Sequence, residues 1–255
     1  MTNFYTLTRT ELIEAAREFK FIWLTLFFVI LGVTQPVINK YMDIILENVG
    51  GADGITIDPN RLVPSSNEVL LSTISGQFNQ IGLIILTISF MGLIATDRNN
   101  GIQDFILVRP VSLGSYLVSK LTGHWVISMF SISIGATISY VYTVFLFGPS
   151  SFFNFILFLL LYSLWILYVI SLAILFSTLL KSSILIAVTT ISASIFLIVI
   201  KGFNGILFQL SPGGILNLAE NQLLPVQDMN YFSIATCLVF ISINLLLANA
   251  VLKKT

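Results

Sequence analysis

Ionisable side chains are sparse in this chain, and one internal stretch between apolar runs holds several of them. The stretch ATDRNNGIQDFILVRPVSLGSYLVSK, Ala95 to Lys120, carries Asp97, Arg98, Asp104, Arg109 and Lys120. The only histidine, His124, follows four residues later. Carboxylates near guanidinium and ammonium groups make charge-assisted, often forked hydrogen bonds, which is the chemistry of recognition and docking. Catalysis asks for more. His124 has no Cys, Asp or Glu cluster around it at metal-ligand spacing, and beside Trp125 it reads as an interfacial residue. Neither a His-Glu constellation for an intramembrane metalloprotease nor a Ser-His pair at membrane depth can be assembled. A G-x-x-x-x-G-K-[ST] run, which would hold nucleotide phosphates, is absent from the sequence.

The background explains why this stretch stands out. Of 255 residues, 56% are hydrophobic and 9% charged, with a mean hydropathy of +0.95. Soluble domains carry roughly 25% charged residues, so the chain reads as an integral membrane protein. Twelve basic and twelve acidic residues balance, which argues against a nucleic-acid partner. Cys237 has no second cysteine to pair with and sits in an apolar run, as a small lipid- or helix-facing residue. The first 20 residues hold Arg9, Glu11, Glu14, Arg17, Glu18 and Lys20, too many charges for the apolar core of a signal peptide.

A spanning helix needs about 20 mostly apolar residues. Six intervals qualify: about 21–38, 77–95, 125–147, 152–178, 183–200 and 231–251. The expected fold is all-α and integral to the membrane, a single transmembrane domain over 1–255. With the N-terminus inside, Arg9, Arg17, Lys20, Arg98, Arg109, Lys120, Lys181, Lys253 and Lys254 face the cytoplasm, and only Lys40, Arg61 and Lys201 face out. That asymmetry fixes the expected orientation, with both termini and Ala95–Lys120 cytoplasmic.

Three polar segments lie outside the spans. Thr6–Lys20 has capping-box spacing at Thr8 and Glu11, with Leu12, Ala15, Ala16 and Phe19 on one face and Glu11, Glu14, Arg17 and Glu18 largely opposite. It is expected to be an amphipathic helix lying along the inner membrane surface. Asn39–Leu70 has Gly50-Gly51, Asp58-Pro59 and Pro64, the composition of an irregular outer cap with at most a short helix near 40–48. Lys201–Asn230 has apolar pieces too short to span, broken at Ser211-Pro212-Gly213-Gly214 and Pro225, and is expected to re-enter or to pack as an outer loop.

Within the charged stretch, a short helix should end before Pro110 and a second should start at Ser112, with Leu113, Tyr116 and Leu117 at helical spacing. Such a pair, running straight into the next span, can transmit motion. A membrane protein with no catalytic set and no nucleotide loop fits a transport pore driven by another subunit; a structural or signalling protein fits less specifically. At Asp97-Arg98, Gly101, Phe105-Ile106-Leu107, Pro110-Val111-Ser112 and Lys120 the chain resembles the membrane subunits of type-2 ATP-binding-cassette exporters. The amphipathic start, six spans and broken Ser211-Pro212 segment extend the resemblance over nearly the whole chain, with Gln103-Asp104 as a departure from the family pattern.

The resemblance implies a permease subunit, non-catalytic itself, in a homo- or heterodimer surrounded by lipid. Each copy would sit on a separate nucleotide-binding ATPase, which would hold ATP and Mg; no cofactor is expected on this chain. The implied coupling contact falls on Asp97, Arg98, Gly101, Asp104, Arg109, Pro110, Ser112, Tyr116 and Lys120, with Glu11 and Arg17 of the N-terminal helix. A bacterial plasma membrane is the implied location. The rival reading is a polytopic membrane protein of another class, such as a membrane-embedded protease or an accessory scaffold. Phe-rich spans suit an amphipathic or hydrophobic cargo (an antimicrobial peptide, a drug or a lipid-like molecule), and facing lipid explains them equally well. Gln77, Asn79 and Gln80 are the polar candidates for a pathway. Ser131, Gly135 and Ser139 in span 3, and Ala187, Thr190 and Ser194 in span 5, form small-residue faces suited to close helix packing, within the subunit or between subunits.

Overall fold

In the computed structural model, residues 2–49, 64–99, 101, 112–200, 211–224 and 230–253 are described. They are helical, with no strand among the described residues. The chain order is α1 (Thr2–Arg17), α2 (Lys20–Val49), α3 (Ser66–Leu71), a wide π-helical stretch (Ser72–Gly82), α4 (Leu83–Phe90), α5 (Ala95–Asn99), α6 (Leu113–Phe147), α7 (Phe152–Leu179), α8 (Ser183–Ile200), α9 (Gly214–Glu220) and α10 (Phe232–Leu252). Six helical runs are long and apolar enough to cross a membrane: Lys20–Met42, Ser66–Arg98, Leu113–Phe147, Phe152–Leu179, Ser183–Ile200 and Phe232–Leu252. They are spans 1 to 6 below.

Two spans begin earlier than hydropathy predicts, at Ser66 rather than 77 and at Leu113 rather than 125. In both, polar side chains that end an apolar run find partners on neighbouring helices. Asn39 donates to Ser72 Oγ (3.2 Å), and Tyr162 donates to the buried Asn79 carbonyl (3.1 Å). Span 3 starts at Ser112, whose hydroxyl caps the Ser115 N–H (3.2 Å). At about 1.5 Å per residue its helix is about 50 Å long, against about 30 Å of bilayer core. The helix is thus longer than the bilayer core, and α1 packs along its first turns.

The expected boundaries of α1 shift too. The helix runs from Thr2, so Thr8 is an interior residue and caps nothing; its hydroxyl lies 3.4 Å from that of Thr122. A tight turn at Phe19, with φ of 56°, redirects the chain into span 1. The hairpin between spans 3 and 4 turns at Gly148, whose φ of 101° disfavours any side chain.

Spans 1 and 3 make the closest helix contact. A Cβ placed on Gly135 would sit 2.6 Å from the Phe28 carbonyl oxygen, and one on Gly32 would collide with the Gly135 carbonyl. Backbones so close need small residues, and Ser131 and Ser139 extend the seam, fully buried. Thr25 donates across it to Ser131 (3.1 Å). The faces left open by sequence, within or between subunits, thus resolve for span 3 as an internal contact with span 1. Ala187, Thr190 and Ser194 are likewise buried on span 5. Span 4 forms the core, with Phe155, Phe158, Tyr162 and Trp165 inaccessible. Short α9 packs against it and buries Ile215, Leu216, Leu218 and Ala219.

The seam predicts a contrast between two glycines. Gly135→Ala should lower stability by about 1–3 kcal/mol, because backbone cannot yield as a side chain does. Gly76→Ala, whose Cβ would meet nothing within 4 Å, should leave the thermal midpoint in detergent close to that of the parent. Equal midpoints for the two variants would contradict the seam.

Candidate functional site

Four charged or hydroxyl-bearing residues far apart in sequence converge where α1, α5 and the base of span 3 meet. Tyr116, Lys120 and His124 stand on successive turns of α6, four residues apart, and so share a face. The Lys120 ammonium lies 2.8 Å from Glu11 Oε1 and 2.9 Å from Asp97 Oδ2. Tyr116 donates its hydroxyl to the same Asp97 oxygen at 2.6 Å. The Lys120 side chain is 6% exposed, and those of Glu11 and Asp97 are 12% exposed. One cation thus clasps two carboxylates from two other elements, largely out of water.

Glu11 gets there because Gly123 lacks a side chain: a Cβ at Gly123 would lie 2.8 Å from Glu11 Cβ. The protein-facing side of α1 is Thr8, Glu11, Leu12 and Ala15, while Ala16 and Phe19 are exposed. Glu11 was expected on the solvated face. It turns inward to meet the Lys120 ammonium, a cation that, buried without a partner, would be strongly destabilising. His124 is also buried rather than interfacial. Its Nδ1 pairs with the Lys120 carbonyl at 3.1 Å, its ring meets Phe90 edge-on, and Glu11 Oε2 is 3.8 Å away.

Burial pushes the Glu11 carboxyl above its ordinary range, the desolvation outweighing the opposing pull of Lys120. Beside the clasp lies a cavity of about 80 Å³ lined by Glu11, Glu14, Lys20, Ser89, Asp97 and His124 among others. The Tyr116 hydroxyl and the Asp97 carboxylate are tied to each other within the clasp. What it can do is hold three elements in one register and change that register as a unit.

The described residues thus set an inward-turned N-terminal helix against a long span 3, beneath six apolar spans. The model of the family described as ABC-2 family transporter protein matches residues 5–251. The chain belongs to this ABC-2 family. A relative, the uncharacterized transmembrane protein YxlG of Bacillus subtilis (strain 168), is 36% identical over 177 residues, which is 69% of this chain and 67% of the relative. The family is a membrane transport component, and the chain is a multi-pass membrane protein.

Within this ABC-2 chain the remaining sequence candidates fall into three groups. Arg98 sits beside the clasp and donates to the Thr178 carbonyl of span 4 at 3.2 Å. Gly101 follows α5 in a turn with φ of 69°, Ser112 caps span 3, and Arg17 is exposed at the end of α1, away from the clasp. Asp104, Arg109 and Pro110 lie outside the described residues. Gln77, Asn79 and Gln80 do not converge: Gln77 donates to Gln35 (2.6 Å), Asn79 accepts from Tyr162, and Gln80 is exposed. Sequence reasoning missed Gly32, Gly123, Ser177 and Thr178. Gly123 carried a readable signal, a glycine on the same stretch as the Tyr116-Lys120-His124 ladder.

The clasp predicts unequal costs. Lys120→Met leaves two buried carboxylates without a cation and should destabilise by about 3–5 kcal/mol. Glu11→Gln should cost less, since Lys120 keeps Asp97. The raised Glu11 value also sets a sign. Its contribution to stability is present below the ordinary value of 4.5 and is lost as pH rises through the folded one. Glu11→Gln should therefore gain on the parent as pH climbs above 4.5. Thermal midpoints across pH check both, and a difference independent of pH would contradict the second.

Proposed function

We propose that the chain is the permease subunit of an ATP-driven exporter, paired with a second permease subunit and seated on a separate ATPase that holds ATP and Mg. The observation that carries this reading is the Glu11–Lys120–Asp97 clasp. It ties α1 to both flanks of the Asp97–Lys120 segment, so a push on either element reaches the base of span 3 directly. Family membership supports a transport role, and the excess of Lys and Arg at the α1 end supports a cytoplasmic setting for the clasp and both termini, in a bacterial plasma membrane.

In this reading the chain does no chemistry on its cargo. Closure of the ATPases moves the clasped elements together, and the spans respond by opening an outward path. The spans carry mostly aliphatic and aromatic surface, which suits an amphipathic or hydrophobic cargo. Asn79 and Gln77 are committed to internal hydrogen bonds, so Gln80 is the polar pathway candidate that faces outward from span 2.

Arg109, between the clasp residues in sequence, is the proposed forked donor to a carboxylate or carbonyl of the ATPase. Truncating such a desolvated contact costs about 2–5 kcal/mol. Arg109→Ala should leave membrane insertion intact while weakening ATPase co-purification or uncoupling hydrolysis from transport. Arg109→Lys, which lacks the fork, should recover binding only in part. If Arg109→Ala retains parental co-purification and coupled hydrolysis, the arginine has no coupling role. If only a positive charge matters, as at a lipid headgroup, Arg109→Lys will match the parent.

A further inference from the structure

Span 2 is interrupted one turn before the clasp. Over Met91–Ile94 the helical ladder lapses: the Met91 N–H reaches only three residues back, to Ile88 (3.4 Å), and Leu93 likewise to Phe90 (3.0 Å). Regular four-residue bonding resumes with Thr96 on Gly92 and Arg98 on Ile94. The N–H groups of Ile94 and Ala95 have left the ladder altogether. Both donate to one atom, Ser177 Oγ of span 4, at 3.0 and 3.1 Å. A hydroxyl has two acceptor lone pairs, and here each has a donor. Ser177 is fully buried, and buried backbone N–H groups outside a helical ladder are costly unless another group completes them.

The break divides the contacts of span 2 as well as its backbone. Below it, α5 is fastened on two sides: Asp97 binds Lys120 and Tyr116 of span 3, and Arg98 binds the Thr178 carbonyl of span 4. Above it, α4 packs on span 5 and to a lesser extent on span 4, and the π-helical stretch before it packs on span 1. We propose that Met91–Ile94 is a hinge in span 2 and that Ser177 is its positioning residue. Below the hinge, α5 moves as one body with the base of span 3 and the end of span 4. Above it, α4 swings separately with span 5. In sequence the charged stretch leads only from span 2 into span 3, whereas the hydrogen bonds route its motion into span 4, the packing core.

Two measurements test this, and only the nucleotide arm of the second rests on the coupling reading above. The first is hydrogen exchange by mass spectrometry on the full chain in lipid nanodiscs. Ser177→Ala should raise exchange of the Ile94 and Ala95 amides at least tenfold while span-4 peptides away from the site stay at parental rates. Ser177→Cys, with the same shape and a weaker acceptor, should fall between. Parental exchange in Ser177→Ala overturns Ser177 as the cap, and a rise spread over the whole chain overturns a local hinge.

The second places spin labels, in a Cys237→Ala background, at the exposed positions Ile84, Val118 and Leu179. The Val118–Leu179 distance, within the lower body, should be narrow and unmoved by nucleotide. The Ile84–Val118 distance, across the hinge, should be broader in the chain alone and should shift when a co-purified ATPase binds ATP. Equally narrow distributions overturn the hinge. A chain that shows the exchange effect but captures no ATPase sinks the coupling reading and leaves the hinge standing; one that captures the ATPase without the exchange effect does the reverse.

Discussion

The Lys120 ammonium, shared between Glu11 and Asp97, is the constraint on which the rest of this end of the molecule depends. A buried cation must be neutralised where it stands, and its partners here come from two other elements. That requirement fixes the rotation of α1, draws α5 against span 3 and keeps span 3 helical well beyond its apolar stretch. Such a clasp is a poor source of stability, since desolvation consumes most of the attraction, and apolar residues of similar volume would hold the helices as well. Its value lies in register. An apolar contact tolerates sliding by a fraction of a turn, whereas two short ion pairs and a 2.6 Å hydrogen bond on one oxygen do not.

Above the clasp the spans are held by close packing. Close backbone contact at Gly32 and Gly135 joins spans 1 and 3, and aromatic packing of Phe28 on Phe78 (4.9 Å) sets the first turns of span 2 against span 1. In lipid no hydrophobic force drives helices together, so such contacts rely on packing and on hydrogen bonds such as Thr25–Ser131 and Asn244–Ser171 (3.0 Å). Span 4 collects these contacts as the most buried span. The break in span 2 at Met91–Ile94 is completed by a side chain from span 4.

Much of this was legible in the residues. Apolar runs gave six helices, because a stretch of about 20 apolar residues has few alternatives in lipid. Ser112 marked the start of a helix, which the structure joins to span 3 without a break, and Gly148-Pro149 marked the end of that span. Ser131, Gly135 and Ser139 marked a close face by spacing alone. The errors in the span starts have one cause. Hydropathy treats a polar residue as the end of a span, and at Ser72, Tyr116 and Lys120 the polar groups instead meet partners on other helices.

By itself the sequence determined the class, the number of spans and the segments where charge would concentrate, since these follow from local composition and from the cost of leaving backbone unpaired in lipid. Pairing is not a local property. That Glu11 faces inward, that its ammonium partner lies over a hundred residues away, that Gly123 makes room for it, and that Ser177 receives two N–H groups from span 2 were decided only by the tertiary structure. Each depends on how close two helices come, and that distance is set by the small residues of both helices together.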